Sequence, residues 1–196
     1  MFKRGFDFFS SLLGFLILVP LFAIVGVLIK LDSKGPIFYL QSRVGRFNRD
    51  FKLIKFRTMR PNADKEGLIT TSSRDSRITK IGYYLRKFKI DELPQLLNVV
   101  KGDMSLVGPR PEVRKYVDLY TSEQAKVLNF RPGITDVSSV VYSNENELLE
   151  GIENPEKYYK EVLMPDKIKR NLEYLENRNL LKDIGVILST FGKILR

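Results

Sequence analysis

Residues 89–102 read Lys-Ile-Asp-Glu-Leu-Pro-Gln-Leu-Leu-Asn-Val-Val-Lys-Gly, and this stretch organises the rest of the sequence. Asp91 is a preferred helix N-cap, and Pro94 is tolerated only in a first turn, where backbone N–H groups have no partner within the helix. Leucine and valine then recur at helical spacing, and Gly102 is a common helix stop. The stretch therefore predicts a helix of about ten residues that begins at two adjacent carboxylates, Asp91 and Glu92.

The carboxylate pair is predicted to lie where a helix N-terminus favours negative charge and bound phosphate. Helix capping alone would explain Asp91 and Glu92 equally well. The sequence Gly108-Pro-Arg-Pro111 follows the helix, however, and its two prolines restrict the backbone on both sides of Arg110. Because a rigidly held arginine suits phosphate binding, the two motifs together predict a phosphate site.

The composition narrows the chemistry that the protein can perform. Its 196 residues include no cysteine and no histidine, and 43% are hydrophobic, which is enough for a core. Cysteine nucleophiles, Ser-His triads, disulfides and zinc sites built on Cys or His are excluded, so carboxylates, lysine and tyrosine remain for acid, base or nucleophile work. A bound metal is expected to be a hard, oxygen-liking ion such as Mg²⁺.

An uncharged apolar run at residues 8–29 is long enough to cross a bilayer as a helix. A signal peptide is one alternative, but no small-residue cleavage site follows the run. Pro20 interrupts helical hydrogen bonding near the middle, and basic residues at both ends favour keeping both ends cytoplasmic. We therefore predict a re-entrant helix-break-helix over residues 1–34, with a kinked spanning helix as the alternative.

Most of the net charge of +10 lies in residues 1–60, around this apolar run. Positive charge beside an apolar segment favours contact with anionic lipid. Nucleic acid would be the competing partner, but no helix-turn-helix, ribonucleoprotein aromatic motif or glycine-rich loop accompanies the charge. We expect a membrane lipid surface and no nucleic acid.

Residues 35–196 are predicted to form a second, catalytic domain. Two runs rich in aromatic and β-branched residues flank residues 45–50 and predict a β-hairpin. Lys55 and Arg57 share one face of its second arm, so both could point at one anion, although solvated strand charges explain the pattern equally well. An amphipathic helix with Arg86 on its polar face is predicted over residues 78–88, and a further helix over residues 112–130.

The C-terminal residues 180–196 carry an apolar stripe opposite Lys182 and Lys193. Such a stripe packs on a domain core or lies in the membrane interface, and the N-terminal anchor favours the interface. The predicted fold is α+β, mainly α: a re-entrant membrane segment, a short β-hairpin and several amphipathic helices around one small core.

The sequence resembles the bacterial sugar transferase family, the monotopic phosphoglycosyl transferases. Its matching motifs, in the family's order, are Lys3-Arg-Gly-Phe-Asp7, Lys55-Phe-Arg-Thr-Met59, Asp91-Glu-Leu-Pro-Gln-Leu-Leu-Asn-Val99, Lys101-Gly-Asp-Met-Ser-Leu-Val-Gly-Pro-Arg-Pro111 and Arg131-Pro-Gly-Ile-Thr135. Two departures stand out. Val19 precedes Pro20 where the family often has serine, and Asp136-Val-Ser-Ser replaces the common Gly-Trp-Ala-Gln after Thr135.

The resemblance implies transfer of a phospho-sugar from a UDP-sugar to a polyprenol phosphate, undecaprenyl phosphate, with release of UMP and participation of Mg²⁺. It implies that Asp91 is the nucleophile, a metal ligand or both, and that Glu92 assists. Substrate phosphates are expected to contact the basic residues Lys55, Arg57, Arg86, Arg110 and Arg131. The expected location is the cytosolic face of the bacterial inner membrane. The sugar and the oligomeric state stay open, a homodimer included, and a non-catalytic membrane scaffold of a polysaccharide assembly complex is the alternative.

Overall fold

The computed structural model describes residues 2–63 and 75–194. Its helices are α1 (Phe2–Asp32), α2 (Lys80–Lys87), α3 (Leu96–Lys101), α4 (Arg114–Val117), α5 (Val137–Val141), α6 (Glu145–Leu149), α7 (Pro155–Tyr158), α8 (Met164–Glu176) and α9 (Leu180–Ile194). The strands are β1 (Phe38–Val44), β2 (Asp50–Phe56), β3 (Ser105–Val107) and β4 (Gly133–Thr135). Short 3₁₀ segments cover Arg46–Asn48, Ile90–Gln95 and Gln124–Asn129, and a π-helical turn covers Tyr159–Leu163. The prediction of a mainly helical α+β fold is confirmed.

Two small sheets hold the strands. β1 and β2 pair antiparallel from Phe38 opposite Phe56 to Val44 opposite Asp50, which confirms the predicted hairpin. β3 and β4 pair parallel. At this second sheet a Cβ on Gly133 would lie 2.1 Å from the backbone nitrogen of Gly108. The close approach of these two backbone segments therefore requires glycine at position 133. The pairing sets the Pro-Arg-Pro turn next to the end of β4.

The described residues pack into three apolar clusters rather than the one small core that was predicted. The largest joins α4, α6 and α8 around Leu163. A second joins the C-terminal half of α1 to β2 and α2 through Ile29, Phe56 and Leu85. A third lies between β2 and α3 around Val99. Most of these elements are under nine residues long, so each group buries its own apolar surface instead of sharing one centre.

Helix α1 runs without a break through Pro20, so the predicted helix-break-helix is wrong as a description of the secondary structure. Proline removes a single N–H donor, and a long helix can retain its remaining hydrogen bonds and bend. The helix is long and apolar enough to cross a membrane by length and composition. Near its start Asp7 accepts a hydrogen bond from Ser105 in β3, and near its end Ile29 packs beside Leu85 of α2. Both ends of α1 therefore contact the same folded body.

Helices α8 and α9 are both amphipathic, but α8 turns its apolar face into the protein and α9 turns its apolar face away from it. α8 buries Ile168 and Leu175 in the largest cluster. α9 buries Asp183 instead, while Leu188 is 65% exposed and Phe191 is 58% exposed. The apolar stripe predicted for residues 180–196 thus points away from the protein, as an interfacial helix requires; Leu195 and Arg196 of that prediction lie outside the described residues.

The prediction of one helix over residues 112–130 is wrong, because the helical segments there are shorter. Only α4 and the 3₁₀ segment Gln124–Asn129 form there. Thr121 and Gln124 exchange hydrogen bonds, each backbone N–H donating to the other side chain, at 3.0 and 3.2 Å. This reciprocal capping starts a new turn and ends the helical run that the apolar spacing suggested.

Candidate active site

The segment that carries the two carboxylates begins one residue earlier than predicted. Lys89 adopts the left-handed conformation with φ 55°, and a 3₁₀ helix then covers Ile90–Gln95 before α3 starts at Leu96. Pro94 has no N–H to donate to Ile90, and its ring excludes an α-helical carbonyl at that position, so the tighter winding is favoured. Asp91 is therefore not the N-cap; it lies with Glu92 inside the first turn.

Asn98 attaches α3 to the hairpin. Its side chain accepts a hydrogen bond from the Ile54 backbone at 3.0 Å and donates one to the Lys52 carbonyl at 2.8 Å. Asn98 is 1% exposed, so both bonds are shielded from water. This attachment sets Lys55, the next residue of β2, against the first turn that carries Glu92.

Glu92 pairs with two cations through one oxygen. Lys55 Nζ lies 2.9 Å and Arg110 Nη2 lies 2.7 Å from Glu92 Oε1. Burial alone would raise the pKa of Glu92, but the charges of Arg110 and Lys55 outweigh it and hold this pKa well below its usual range. Burial also lowers the pKa of Lys55, and the charge of Glu92 opposes that shift. Glu92 is thus the ionised centre of a three-residue charge cluster.

Asp91, next to it, is left without such partners. Its side chain is 8% exposed, and Oδ1 has no hydrogen-bond partner among the residues that the structure describes. Burial, and then the charge of Glu92, raise the pKa of Asp91 to about 6, against the opposing charges of Lys55 and Arg86. A buried carboxylate oxygen with no partner is uncommon and marks a position where a ligand can supply one.

Arg110 is held by a residue that the sequence analysis did not identify. The Arg110 backbone N–H donates to Asp136 Oδ2 at 2.8 Å, and Asp136 is 1% exposed. The same carboxylate accepts from Ser138 Oγ and caps the start of α5. The Asp-Val-Ser-Ser sequence carried a helix N-cap signal, but its contact with Arg110 arises only from the pairing of β3 with β4.

Arg57 does not share the site with Lys55. It is 5% exposed and donates to the carbonyls of Ser33 and Lys34 at 2.7 and 2.6 Å, just beyond the end of α1. A Cβ on Gly35 would lie 1.9 Å from its guanidinium, so glycine is needed for this approach. Arg57 thus binds the C-terminal end of α1, where a cation is favoured.

Arg86 and Arg131 lie at different places. The Arg86 guanidinium on α2 makes no hydrogen bond or ion pair within the described part of the chain, and its charge acts on Asp91. Arg131 donates from Nε to the Gly102 carbonyl at 2.9 Å, at the far end of α3. The structure therefore brings Lys55, Arg86 and Arg110 to the carboxylate pair, and sets Arg57 and Arg131 elsewhere.

The profile of the bacterial sugar transferase family matches residues 1–196. The chain belongs to the bacterial sugar transferase family. This confirms the resemblance drawn from the motifs, and with it the prediction of a transferase enzyme. The candidate active site of this family member is a charge cluster at the start of the Ile90–Gln95 segment, in which Glu92 is paired and Asp91 Oδ1 has no partner among the described residues.

Three relatives cover nearly all of this sugar transferase. UDP-N-acetylgalactosamine-undecaprenyl-phosphate N-acetylgalactosaminephosphotransferase of Aeromonas hydrophila is 37% identical over 196 residues, which are 98% of this chain and 43% of the relative. UDP-glucose:undecaprenyl-phosphate glucose-1-phosphate transferase of Caulobacter vibrioides is 35% identical, covering 98% and 69%. Exopolysaccharide production protein ExoY of Sinorhizobium fredii is 34% identical, covering 98% and 84%. The chain thus spans less than half of the Aeromonas relative.

The side chains at the candidate active site can be compared with the ligands that Mg²⁺ prefers. No group of three or more carboxylate, histidine or cysteine side chains that could hold a metal occurs among the described residues. Mg²⁺ is commonly bound by one or two carboxylates together with substrate phosphates and water. The unpartnered Oδ1 of Asp91 fits that mode, with the substrate supplying further oxygens.

Proposed function

We propose that the protein transfers a phospho-sugar from a UDP-sugar to undecaprenyl phosphate and releases UMP, as a membrane step of polysaccharide assembly. The names of the Aeromonas and Caulobacter relatives describe this reaction class with two different sugars. The observation that supports it best is the division between the two carboxylates. Glu92 forms ion pairs with two nearby cations. Asp91 is buried, and its Oδ1 has no hydrogen-bond partner among the described residues.

In the proposed reaction Asp91 is the nucleophile. A carboxylate oxygen of Asp91 attacks the β-phosphorus of the UDP-sugar, and the bond from that phosphorus to the oxygen bridging the two phosphates breaks, so UMP leaves with the bonding electrons. An oxygen of undecaprenyl phosphate then attacks the same phosphorus and releases Asp91. Each step exchanges one P–O bond for another, so no net proton transfer is required.

The neighbouring charges support such an attack. A carboxylate approaching a diphosphate is repelled unless fixed cations offset the negative charge. Lys55 and Arg110 are held by Glu92 at the site, and Arg86 brings a guanidinium without an ion pair in the described chain. Mg²⁺ held by Asp91 and the diphosphate oxygens would offset further charge when bound. The raised pKa of Asp91 also makes its ionised form a stronger base and a better nucleophile.

We also propose that residues 1–34 lie in one leaflet and that residues 35–196 form a catalytic domain on the cytosolic face. The contacts of both ends of α1 with one body support this, as does the outward apolar face of α9. Re-entry would then arise from bending and from these two attachments, not from a break at Pro20. The test is to place tags at the two chain termini: both should be accessible only from the cytoplasm, and a periplasmic N-terminus would exclude re-entry.

The reaction is tested by intact mass measurement of the detergent-purified protein with Mg²⁺ and a panel of UDP-sugars, without lipid acceptor. We expect one donor to add the mass of one phospho-sugar and the Asp91→Asn variant to give no adduct. The matched Glu92→Gln variant should still give the adduct, more slowly. Unimpaired turnover by Asp91→Asn would falsify the nucleophile assignment. Absence of both adduct and UMP release with every donor would favour the non-catalytic scaffold.

A further inference from the structure

Two arginines from distant parts of the chain bind carbonyls at the C-terminal end of α3, and a third lies near the second. Arg4 of α1 donates to the Val100 carbonyl at 3.3 Å, and Arg131 donates to the Gly102 carbonyl at 2.9 Å. Arg46, at the tip of the β1–β2 hairpin, donates to the carbonyl of Asn129, two residues before Arg131, at 2.9 Å. We call Arg4, Arg46 and Arg131 the arginine cluster.

The arginine cluster is not neutralised by the protein. None of its members forms an ion pair with a carboxylate in residues 2–63 and 75–194. Asp7 is the acidic residue whose charge reaches Arg131, but it is engaged by Lys3 at 3.7 Å and by Ser105 Oγ at 2.7 Å. The α3 C-terminus contributes roughly half a negative charge, against three positive ones. A net positive charge therefore remains.

The electrostatics agree with this geometry. Burial, followed by the charges of Arg4 and Arg46, lowers the pKa of Arg131, and Asp7 only partly opposes the shift. The guanidinium groups also retain unused donors, because Arg46 and Arg131 each give only their Nε–H to a carbonyl. Guanidinium groups present five N–H donors in a planar fork that matches phosphate oxygens.

An exposed aromatic ring and an apolar helix adjoin the arginine cluster. Arg4 follows Phe2, which is 95% exposed, on the apolar helix α1. The Arg46 guanidinium lies 4.3 Å from the ring centroid of Phe47, which is 59% exposed. Arginine heads next to exposed aromatic rings and an apolar helix are typical of the boundary between lipid headgroups and acyl chains.

The cluster is separate from the candidate active site. Asp91 lies at the start of the Ile90–Gln95 and Leu96–Lys101 helical segments, and Arg131 contacts Gly102 just after their end. Eleven residues of helix at about 1.5–2.0 Å each separate the two by roughly 17–22 Å. The reacting phosphates at Asp91 are therefore not the anion that these arginines face.

We propose that Arg4, Arg46 and Arg131 bind the phosphate group of an anionic membrane phospholipid. The site takes its phosphate from a lipid because the apolar surface of α1 and Phe47 borders it, where acyl chains can lie. It would fix the depth and the rotation of the protein at the membrane surface. The inference does not depend on the reaction proposed for Asp91.

The test is native mass spectrometry of the full chain in a neutral detergent, titrated with phosphatidylglycerol or phosphatidylcholine. We expect the protein to retain phosphatidylglycerol preferentially. Arg46→Gln and Arg131→Gln should each weaken this retention about fivefold and leave phosphatidylcholine retention unchanged. Lys169→Gln, which removes one exposed charge on α8, is the matched control and should retain phosphatidylglycerol as the unmodified protein does.

A second arm distinguishes a lipid from a soluble anion. Millimolar inorganic phosphate should not displace phosphatidylglycerol, because phosphate lacks the acyl chains that contact α1 and Phe47. Displacement by phosphate would overturn the lipid assignment and make this a site for a free anion. Equal retention of phosphatidylglycerol by Arg46→Gln, Arg131→Gln and Lys169→Gln would overturn the site itself. Arg46 is exposed, so its variant tests the site with little risk to folding.

Discussion

Two carboxylate pairs in the described part of the chain invite comparison: Asp91 with Glu92 at the candidate active site, and Asp7 with Asp183 between α1 and α9. Asp7 and Asp183 are 3% and 2% exposed, and both are fully engaged. Lys3 forms ion pairs with both, Ser105 donates to Asp7, and the Tyr174 hydroxyl donates to Asp183. Asp91 is almost as deeply buried, yet one of its oxygens has no partner in the described chain.

We propose that this difference separates carboxylates that hold the fold from a carboxylate that takes part in the reaction. Removing the partner of a fully hydrogen-bonded buried charge is costly, because the charge is left uncompensated. A buried carboxylate without a partner lowers stability and persists when the surrounding structure enforces it, as commonly occurs at functional sites. Asp7 and Asp183 therefore attach α1 and α9 to the body, whereas Asp91 is the carboxylate that we propose contacts the substrate. The same Asp→Asn change should separate the two roles.

The largest effect is expected for Asp91→Asn. If Asp91 is the nucleophile, UMP release should fall about a thousandfold or more, since loss of a catalytic nucleophile removes the covalent route. Thermal denaturation in detergent should show an unchanged or higher midpoint, because the amide removes an unpaired buried charge. A variant that lost stability and activity together would place Asp91 with the structural carboxylates instead.

Glu92→Gln should have the next largest effect. The change removes the carboxylate that Lys55 and Arg110 share, so both cations lose their fixed positions near the substrate phosphates. We expect UMP release to fall about 10- to 100-fold, with a loss of stability as well, since two cations are left unpaired. Glu156→Gln, at an exposed pair of lysines, is the control and should change neither property.

Asp183→Asn should affect stability rather than chemistry. Lys3 and the Tyr174 hydroxyl lose a charged acceptor between α1 and α9, which is expected to lower the free energy of unfolding by about 1–3 kcal/mol. UMP release per folded molecule should stay within about twofold of the unmodified protein, because an effect on the site would have to act through the intervening structure. A large loss of turnover with an unchanged melting midpoint would contradict this division.

The two active-site carboxylates should also differ in the pH dependence of stability. Asp91 has a pKa of about 6 in the folded state against an ordinary 3.8, so the folded protein binds that proton more tightly and loses stability as the pH rises from about 4 to 6. Glu92 has the opposite shift, so its contribution is present above its ordinary pKa and is lost on acidification.

Melting midpoints measured in EDTA between about pH 4 and pH 7 test this prediction. The decline in stability should lie between the ordinary pKa of Asp91 and its raised pKa in the folded protein. Asp91→Asn should remove the decline in stability from about pH 4 to 6. The loss of stability on acidification that Glu92 causes should stay. Mg²⁺ is expected to move the Asp91 decline to lower pH if it binds that carboxylate. A decline that persists in Asp91→Asn would assign it to another group.

Among the predicted site residues, those that the structure brings together are the ones whose sequence signals are local. Asp91, Glu92 and Arg110 stand in compact motifs, and the hairpin that carries Lys55 follows from aromatic and β-branched runs. Arg57 was expected beside Lys55 because strand residues two apart share a face. β2 ends at Phe56, however, and Arg57 donates to the backbone carbonyls that follow α1. Strand alternation does not predict this contact.

Long-range contacts explain the other differences. Asp136 reaches Arg110 through the pairing of β3 with β4, and Arg131 reaches Gly102 across 29 positions of the chain. The attachment of α1 to the body near both of its ends joins residues far apart in the chain, which no local pattern reveals. The orientation of α9 was left open by its apolar stripe, because such a stripe fits a core as well as a membrane; the burial of Asp183 decides it.

The smallest effect is expected on the outer side of the helix that carries Asp183. Leu188 is 65% exposed, so Leu188→Ala should change the free energy of unfolding in detergent by no more than about 0.5 kcal/mol. Leu175→Ala on α8, at 6% exposure, is the matched control and should lose about 2–5 kcal/mol through the cavity that it leaves. Melting midpoints of the two variants measure both effects. A loss at Leu188 as large as that at Leu175 would mean that α9 packs its leucines against protein, and the outward apolar face on which its membrane role rests would have to be abandoned.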